Sequence, residues 1–307
     1  MQKVSWNNHQ FSKLCLGTVQ FGLDYGVANQ VGQVSDKEVN KILQYVVDQD
    51  INCFDTGAMY GDSEQKIGSF IKKSNRKDIH IVSKIKKDFF DLDKRAIVES
   101  IDSSLEDLEI NRLFALLLHN IEPIKKWNST YENIVNTLKN YNKIEYFGVS
   151  IYTDEEFNLA LENSEVEIIQ IPFSLLDQRA ITMNWFKKAK EKNKLIFIRS
   201  IYLQGLILID KEEIPQHLQD VKKYITVIED VANRLDISKN QLALSFVNQV
   251  ADEGILLFGC DNLAQAEENI ENYNNLLNLD NEILLYLKDS LRDVSEEIYN
   301  PTKWNIR

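Results

Sequence analysis

Four side chains in this 307-residue sequence could do chemistry as a group: Asp55, Tyr60, Lys84 and His119. A free tyrosine hydroxyl titrates at about pH 10, so alone it is a poor proton donor or acceptor at neutrality. A lysine ammonium beside it favours the phenolate and draws that value toward the working range. An aspartate bonded to the lysine fixes its position and keeps it charged. A histidine next to the phenol can donate to a carbonyl oxygen and stabilise the negative charge that develops there. Such a set suits protonation of a carbonyl oxygen while another group attacks the carbon. No serine or cysteine nucleophile falls on the same face, which leaves a hydride donor as the natural attacker.

The spacing of these residues says what must position them. Asp55 ends the apolar run INCFD, Lys84 ends HIVSK, and His119 ends RLFALLLH, while Tyr60 follows the first run in DTGAMYGDSE. Each run reads as a short buried strand, and helix-length segments separate them. In a (β/α)8 barrel the C-terminal ends of the strands converge on one face, which carries the active site.

The rest of the chain keeps the same rhythm. LCLG reads as the first barrel strand behind a hairpin, VSWNNHQFSK, and YFGVS, EIIQIPF, LIFIRS and ILLFG read as strands five to eight. Helices fit between them: one opens at a Ser35/Glu38 capping box, and others span roughly Asp154 to Glu162 and Met183 to Lys192. The long interval after strand seven has room for an extra helix besides YITVIEDVANRL and KNQLALSFVNQV. A further helix, NEILLYLKDSLRDV, and a tail follow the eighth unit. An open doubly wound sheet would want GxGxxG after its first strand, but the loop here is GTVQFG. The expected architecture is therefore one (β/α)8 barrel domain over residues 1–307, with an N-terminal hairpin and a C-terminal helix and tail. Phe54, Phe114, Phe147 and Phe246 are expected in its core.

Composition agrees with an enzyme of this kind. The net charge of −12 argues against nucleic acid or an anionic membrane as partner. No apolar stretch approaches the roughly 18–20 residues of a membrane span, and MQKVSWNNHQ does not read as a signal peptide. Cys15, Cys53 and Cys260 lie in apolar contexts without CxxC pairing, so a zinc site or disulfide framework is not indicated and a cytoplasmic location is expected. No metal is expected, and the chain should act as a monomer or small homo-oligomer.

The motifs GTVQFG, CFDTGAMYGDSE, IVSK, LLLH, FGVS, IIQ and GCDNLAQAEEN, in this order, give the chain an end-to-end resemblance to the aldo-keto reductases. That resemblance implies NADP(H)- or NAD(H)-dependent interconversion of an aldehyde or ketone and its alcohol. It casts Tyr60 as proton donor, Asp55 and Lys84 as the pair that tunes it, and His119 as the residue that orients the carbonyl. It places Gly17, Thr18 and Asp55 beside the cofactor, with Ser150 and Gln170 on the nicotinamide carboxamide. Arg199, followed by Ser200, stands where the family often has a stacking tyrosine, and Ile151 where it usually has an asparagine. Arg199 would then pair with a cofactor phosphate, with an acidic substrate, or with a structural carboxylate. Gly205 and Gly259 fall in the pyrophosphate loops, and the helix beginning near Asn262 points its positive end there.

The last loop departs from the family's NADPH clamp. It contains no basic residue, and Gln265 occupies a position where an arginine often lies. Glu268 and Asn269 match the family's adenine-contacting pair. The missing clamp weakens the case for strict NADPH preference, and Asp261 could accept from a free ribose hydroxyl. A substrate wall is expected from Phe21, Tyr25, Met59, Phe89, Phe90, Ile121 and Trp127, closed by Tyr299 and Trp304. RSIYLQG with VQFGLDYG resembles a bacterial subgroup linked to polysaccharide and sugar-nucleotide metabolism, which implies a sugar-derived carbonyl as one substrate class. Two other readings differ in kind. A non-catalytic nicotinamide-binding regulatory or redox-sensing subunit would bind cofactor without turnover. A barrel lyase or hydrolase would need paired carboxylates or metal ligands at strand ends.

Overall fold

A computed structural model describes residues 1–29, 31–74, 76, 78–85, 94–251 and 253–304. Strands β1 (Lys3–Trp6) and β2 (His9–Ser12) form an antiparallel hairpin, turning through Asn7 and Asn8, both at positive φ. Eight parallel strands then close a barrel: β3 (Leu14–Gly17), β4 (Cys53–Asp55), β5 (His80–Lys84), β6 (Leu113–Leu118), β7 (Ile144–Ser150), β8 (Ile168–Pro172), β9 (Leu195–Arg199) and β10 (Ile255–Phe258). They pair in chain order, and β10 closes the ring between β9 and β3.

The alternation of a strand explains what fills the barrel. Successive side chains point to opposite faces. One set (Cys15, Cys53, Val82, Ala115, Leu117, Ile168, Phe197, Ile255 and Leu257) clusters with Phe11 and Val4 of the hairpin, while the other set joins the larger core shared with the helices. Phe54, Phe114, Phe147 and Phe246 are all buried, as expected from their apolar surroundings.

Local expectations met with three departures. Ser35 does cap the helix Asp36–Asp48, accepting from the Glu38 amide, but the Glu38 carboxylate does not turn back to complete a box. It accepts instead from the amide of Leu263 at 2.9 Å, tying the first barrel helix to the last. The helix expected over Met183 to Lys192 forms as Trp185–Glu191, starting after Asn184, which is left-handed at φ 57° and parts it from an unanticipated turn of helix, Arg179–Thr182. After β9, the helices Lys222–Arg234 and Lys239–Val250 form as expected, and the added segment before them is a 3-10 stretch, Gln216–Val221. Among the described residues no helix is long and apolar enough to cross a membrane, and no group of three or more His, Cys, Asp or Glu side chains could hold a metal ion.

Candidate active site

Two residues beyond each inward apolar layer of the barrel, the same face of every strand becomes polar or empty. Cys15 leads to Gly17, Cys53 to Asp55, Val82 to Lys84, Leu117 to His119 and Phe197 to Arg199. Ile168 leads to Gln170, Leu257 to Gly259, and Gly148 to Ser150. All eight end residues line one cavity of about 690 Å3 at the C-terminal mouth. The period of two thus carries the packing of the interior upward until it runs out, and the next layer is the site. Every residue expected to contact the cofactor lines this cavity: Gly17, Thr18, Asp55, Ser150, Gln170, Arg199, Ser200, Gly205, Gly259, Gln265, Glu268 and Asn269. Tyr60 lines it from the loop after β4.

The Asp55–Lys84 pair is almost sealed from solvent, at 4% and 2% exposure. Lys84 Nζ donates to one Asp55 oxygen and, at 3.2 Å, to the Thr56 carbonyl. The other Asp55 oxygen accepts from the Gln170 amide at 2.7 Å. A buried carboxylate so supplied has the hydrogen-bond partners that burial takes from it, and so has its partner ammonium. Burial works to lower Lys84, yet Asp55 and Tyr60 together outweigh it and hold the ammonium above its ordinary value. The Lys84 Nζ sits 5.2 Å from the centre of the Tyr60 ring, and the His119 imidazole meets that ring edge-on at 5.9 Å.

Tyr60 itself behaves differently from the sequence expectation. Its pKa lies above the ordinary tyrosine value, because burial raises it more than the Lys84 charge and hydrogen bond lower it. A lysine can depress a phenol in water-rich surroundings, but here desolvation of the phenolate is the larger effect. Tyr60 is therefore held protonated at neutral pH.

Close backbone approach fixes the Tyr60 loop. A Cβ on Gly22 would fall 1.7 Å from the Tyr60 carbonyl oxygen, and Gly61 packs back onto Gly22 with φ +55°. Beneath them a hydroxyl network, not singled out by the sequence, ties three segments together. Thr18 donates to the Asp55 carbonyl at 3.0 Å, Ser63 donates to the Thr18 hydroxyl at 2.9 Å, and Thr56 and Ser63 share a proton at 3.1 Å. Thr18 and Ser63 are fully buried, so each bond is protected from water.

Arg199 has no carboxylate partner among the described residues. Its guanidinium donates to the Ile151 carbonyl at 2.9 Å and to the hydroxyls of Ser150 and Ser200 at 3.3 and 3.2 Å, and it stacks 4.1 Å over the Tyr152 ring. The structural ion pair was one of its three expected roles, and none forms.

The aromatic substrate wall is largely elsewhere. Of the described candidates only Tyr25 lines the cavity, with its hydroxyl accepting from Gln204 at 3.1 Å. Phe21 and Ile121 are buried in the core, and Met59 points outward at 43% exposure. Trp127 packs on Phe147 and Tyr131. Trp304 is buried with its indole N–H on the Ile298 carbonyl, and Tyr299 stacks under Arg179. Large apolar loop side chains gain more from the core than from an open cavity. Phe89 and Phe90 lie outside the described residues. In their place the wall includes Gln20, Tyr152, Lys239 and Asn240. Tyr202 also lines it, donating to Asn269 Oδ1 at 2.6 Å.

At the far end, the helix Leu263–Asn274 has part of its N-terminus already answered by protein. Asn262 accepts from the Gln265 amide and Glu38 from that of Leu263. Gln265, at the position where an arginine was the alternative, folds back so that its oxygen takes the Asp261 amide at 2.7 Å.

An eight-stranded parallel barrel with an Asp–Lys–Tyr–His group at its mouth defines a class, and comparison with known proteins agrees. The Aldo/keto reductase family model matches residues 13–289. This chain belongs to the aldo/keto reductase family, an oxidoreductase family. It is 22% identical over 276 residues to the NADH-specific methylglyoxal reductase of Escherichia coli, covering 78% of this chain and 84% of that one. It is 22% identical over 267 residues to aldo-keto reductase str7 of Strobilurus tenacellus, covering 80% and 78%. With the uncharacterized oxidoreductase YcsN of Bacillus subtilis it shares 26% identity over 141 residues, 41% of this chain and about half (47%) of that protein. The holo form of aldo-keto reductase AKR11C1 from Bacillus halodurans shares the fold, with a TM-score of 0.78 at 20% identity over 99% of this chain and 100% of that one.

Proposed function

We propose that this chain is a NADP(H)- or NAD(H)-dependent oxidoreductase that interconverts small polar aldehydes or ketones and their alcohols. The observation that carries the reading is the Tyr60 hydroxyl, held protonated beside a sealed Lys84–Asp55 pair and His119, at one end of a cavity that runs on to Glu268 and Asn269. The residues present fit a dinucleotide: three buried acceptor oxygens with no donor among the described residues, on Gln20, Asn240 and Asp261, all belong to this cavity wall. Ser150, Gln170 and Arg199 would hold its nicotinamide end, and Gln265, Glu268 and Asn269 its adenosine end. The nicotinamide, when bound, supplies or accepts a hydride at the carbonyl carbon.

The chain's own residues do the rest. Tyr60 gives its hydroxyl proton to the carbonyl oxygen, and Lys84 stabilises the phenolate left behind. Asp55 keeps Lys84 charged and immobile, with Gln170 fixing the second carboxylate oxygen. His119, edge-on to Tyr60, orients the carbonyl between them. The wall near Tyr60 is polar, with Tyr25 and Arg199, and with Tyr152 stacked on Arg199. Such a lining suits a hydroxylated or otherwise polar carbonyl, sugar-derived ones included. Methylglyoxal, named for one relative, is of that kind.

Purified protein is expected to consume reduced nicotinamide in the presence of nitrobenzaldehyde, methylglyoxal or a short aldose. Polar carbonyls should give the higher kcat/KM. Tight cofactor binding with no turnover across that panel would contradict the reading and point to a sensing subunit.

A further inference from the structure

We infer that the cavity end away from Tyr60 is built for an unphosphorylated ribose, so that this chain selects NAD(H) over NADP(H), with the Asp261 side chain taking the ribose hydroxyl. The inference rests on the nicotinamide reading above and narrows it to one cofactor.

Hydrogen-bond polarity is the first ground. Asp261 lines the cavity, and its Oδ1 is buried with no partner among the described residues. The Asn240 side-chain oxygen is in the same condition, and Asn240 lines the same cavity. Buried acceptors without donors are costly unless a ligand brings the donors. A free ribose diol and an adenine amine bring them. A phosphate monoester presents mainly acceptor oxygens and about −1.5 to −2 charges, and would leave Asp261 worse off than before.

Rigidity is the second. Gln265 grips Asp261 from both sides, accepting its backbone N–H at 2.7 Å and approaching Oδ2 with its amide nitrogen at 3.4 Å. The carboxyl group is therefore aimed before any ligand arrives, which lowers the entropic cost of recognition.

Charge is the third. Burial, and behind it the nearby Asp24, holds Asp261 above its ordinary carboxylate value, so the surroundings already resist negative charge. The segment 259–269 carries Asp261, Glu267 and Glu268 and no Lys, Arg or His. Among the described residues, the cations lining the cavity are Lys84, Arg199 and Lys239. Lys84 is sealed onto Asp55, and Arg199 is held at the end of β9 by Ser150 and Ile151. Lys239 donates to the Ile209 carbonyl at 2.8 Å and pairs with Glu229 at 3.4 Å. Taking up a 2′-phosphate would mean breaking that arrangement.

The test is a titration of intrinsic tryptophan fluorescence with NADH and with NADPH, on the wild type and on Asp261→Ser, with thermal melts to show that both are folded. The wild type should bind NADH at least about tenfold tighter than NADPH, and Asp261→Ser should shrink or reverse that ratio by a further factor of about ten. NADPH binding as tightly as NADH to the wild type overturns the inference and leaves the nicotinamide reading standing. A ratio unchanged in Asp261→Ser overturns the role of Asp261. Failure of both cofactors to bind removes the nicotinamide reading, and the inference falls with it.

Discussion

The two ends of the barrel treat their ionisable side chains in opposite ways. Strand β5 shows both, since His80 begins it and Lys84 ends it. At the closed end the hairpin lays Phe11 against His80 and Phe114, with ring centres at 4.6 and 4.9 Å, and Tyr146 and Trp6 extend the cluster. His9 adds an edge to His80 and bonds Glu145 at 2.8 Å, and Glu145 in turn pairs with Arg112. Burial, then the His9 charge, pushes His80 down to about 4, so it stays neutral and packs as an aromatic ring. At the open end burial is deeper, Lys84 being buried where His80 is only half-buried, yet each ionisable group has a partner: Lys84 has Asp55, and Asp55 has Gln170 as well. What separates the ends is whether a buried charge is kept and turned toward a cavity.

The largest effect that would break this contrast lies in the Lys84–Asp55 pair. Lys84→Met should lower turnover by at least about a hundredfold, the usual lower contribution of a tuned acid. It should also destabilise the fold by roughly 3–5 kcal/mol, because Asp55 is left as an unpaired buried charge. Adding Asp55→Asn keeps an oxygen for the Gln170 amide and removes the stranded charge, so stability should return while turnover does not. Urea unfolding and steady-state rates on the two variants separate packing from chemistry. A double variant that regains turnover would mean that the pair is structural, like the aromatic cluster at the closed end.

The smaller effect sharpens the other side. His80 has a folded value of about 4 against an ordinary 6.5, so the unfolded chain binds more protons between those limits. Its contribution to stability is complete above about pH 6.5 and is lost as pH falls toward 4. His80→Leu should therefore flatten the pH dependence of the melting temperature in that window, and leave neutral-pH turnover within a few-fold of wild type. An unchanged slope would mean that His80 does not set the acid sensitivity of the fold.

The sequence was most legible where period and position coincide. Asp55, Lys84, His119, Ser150, Gln170, Arg199, Gly17 and Gly259 each follow an inward-facing layer by two residues, so strand ends found by pattern also gave the cavity floor. The same logic failed on loops. Phe21, Ile121, Trp127 and Trp304 look like pocket walls because they follow strands or close the chain. Hydropathy alone does not say whether a loop side chain turns to the cavity or to the core, and here they turned away from the cavity. Contacts between segments far apart in sequence were also hidden. Glu38 on Leu263, Ser63 on Thr18 and Asn240 in the cavity wall carry no local signature. Nor could spacing show that burial would outweigh Lys84 at Tyr60, since that balance depends on how completely the loop is sealed.

The central claim is that Tyr60 gives the proton. Tyr60→Phe keeps the ring against His119 and Lys84 and removes one hydroxyl. Stopped-flow reduction of a nitrobenzaldehyde, beside a fluorescence titration of the cofactor, tests it most directly. The rate of the chemical step should fall by at least about a hundredfold while cofactor affinity stays within a few-fold. An unimpaired chemical step in Tyr60→Phe would contradict the account.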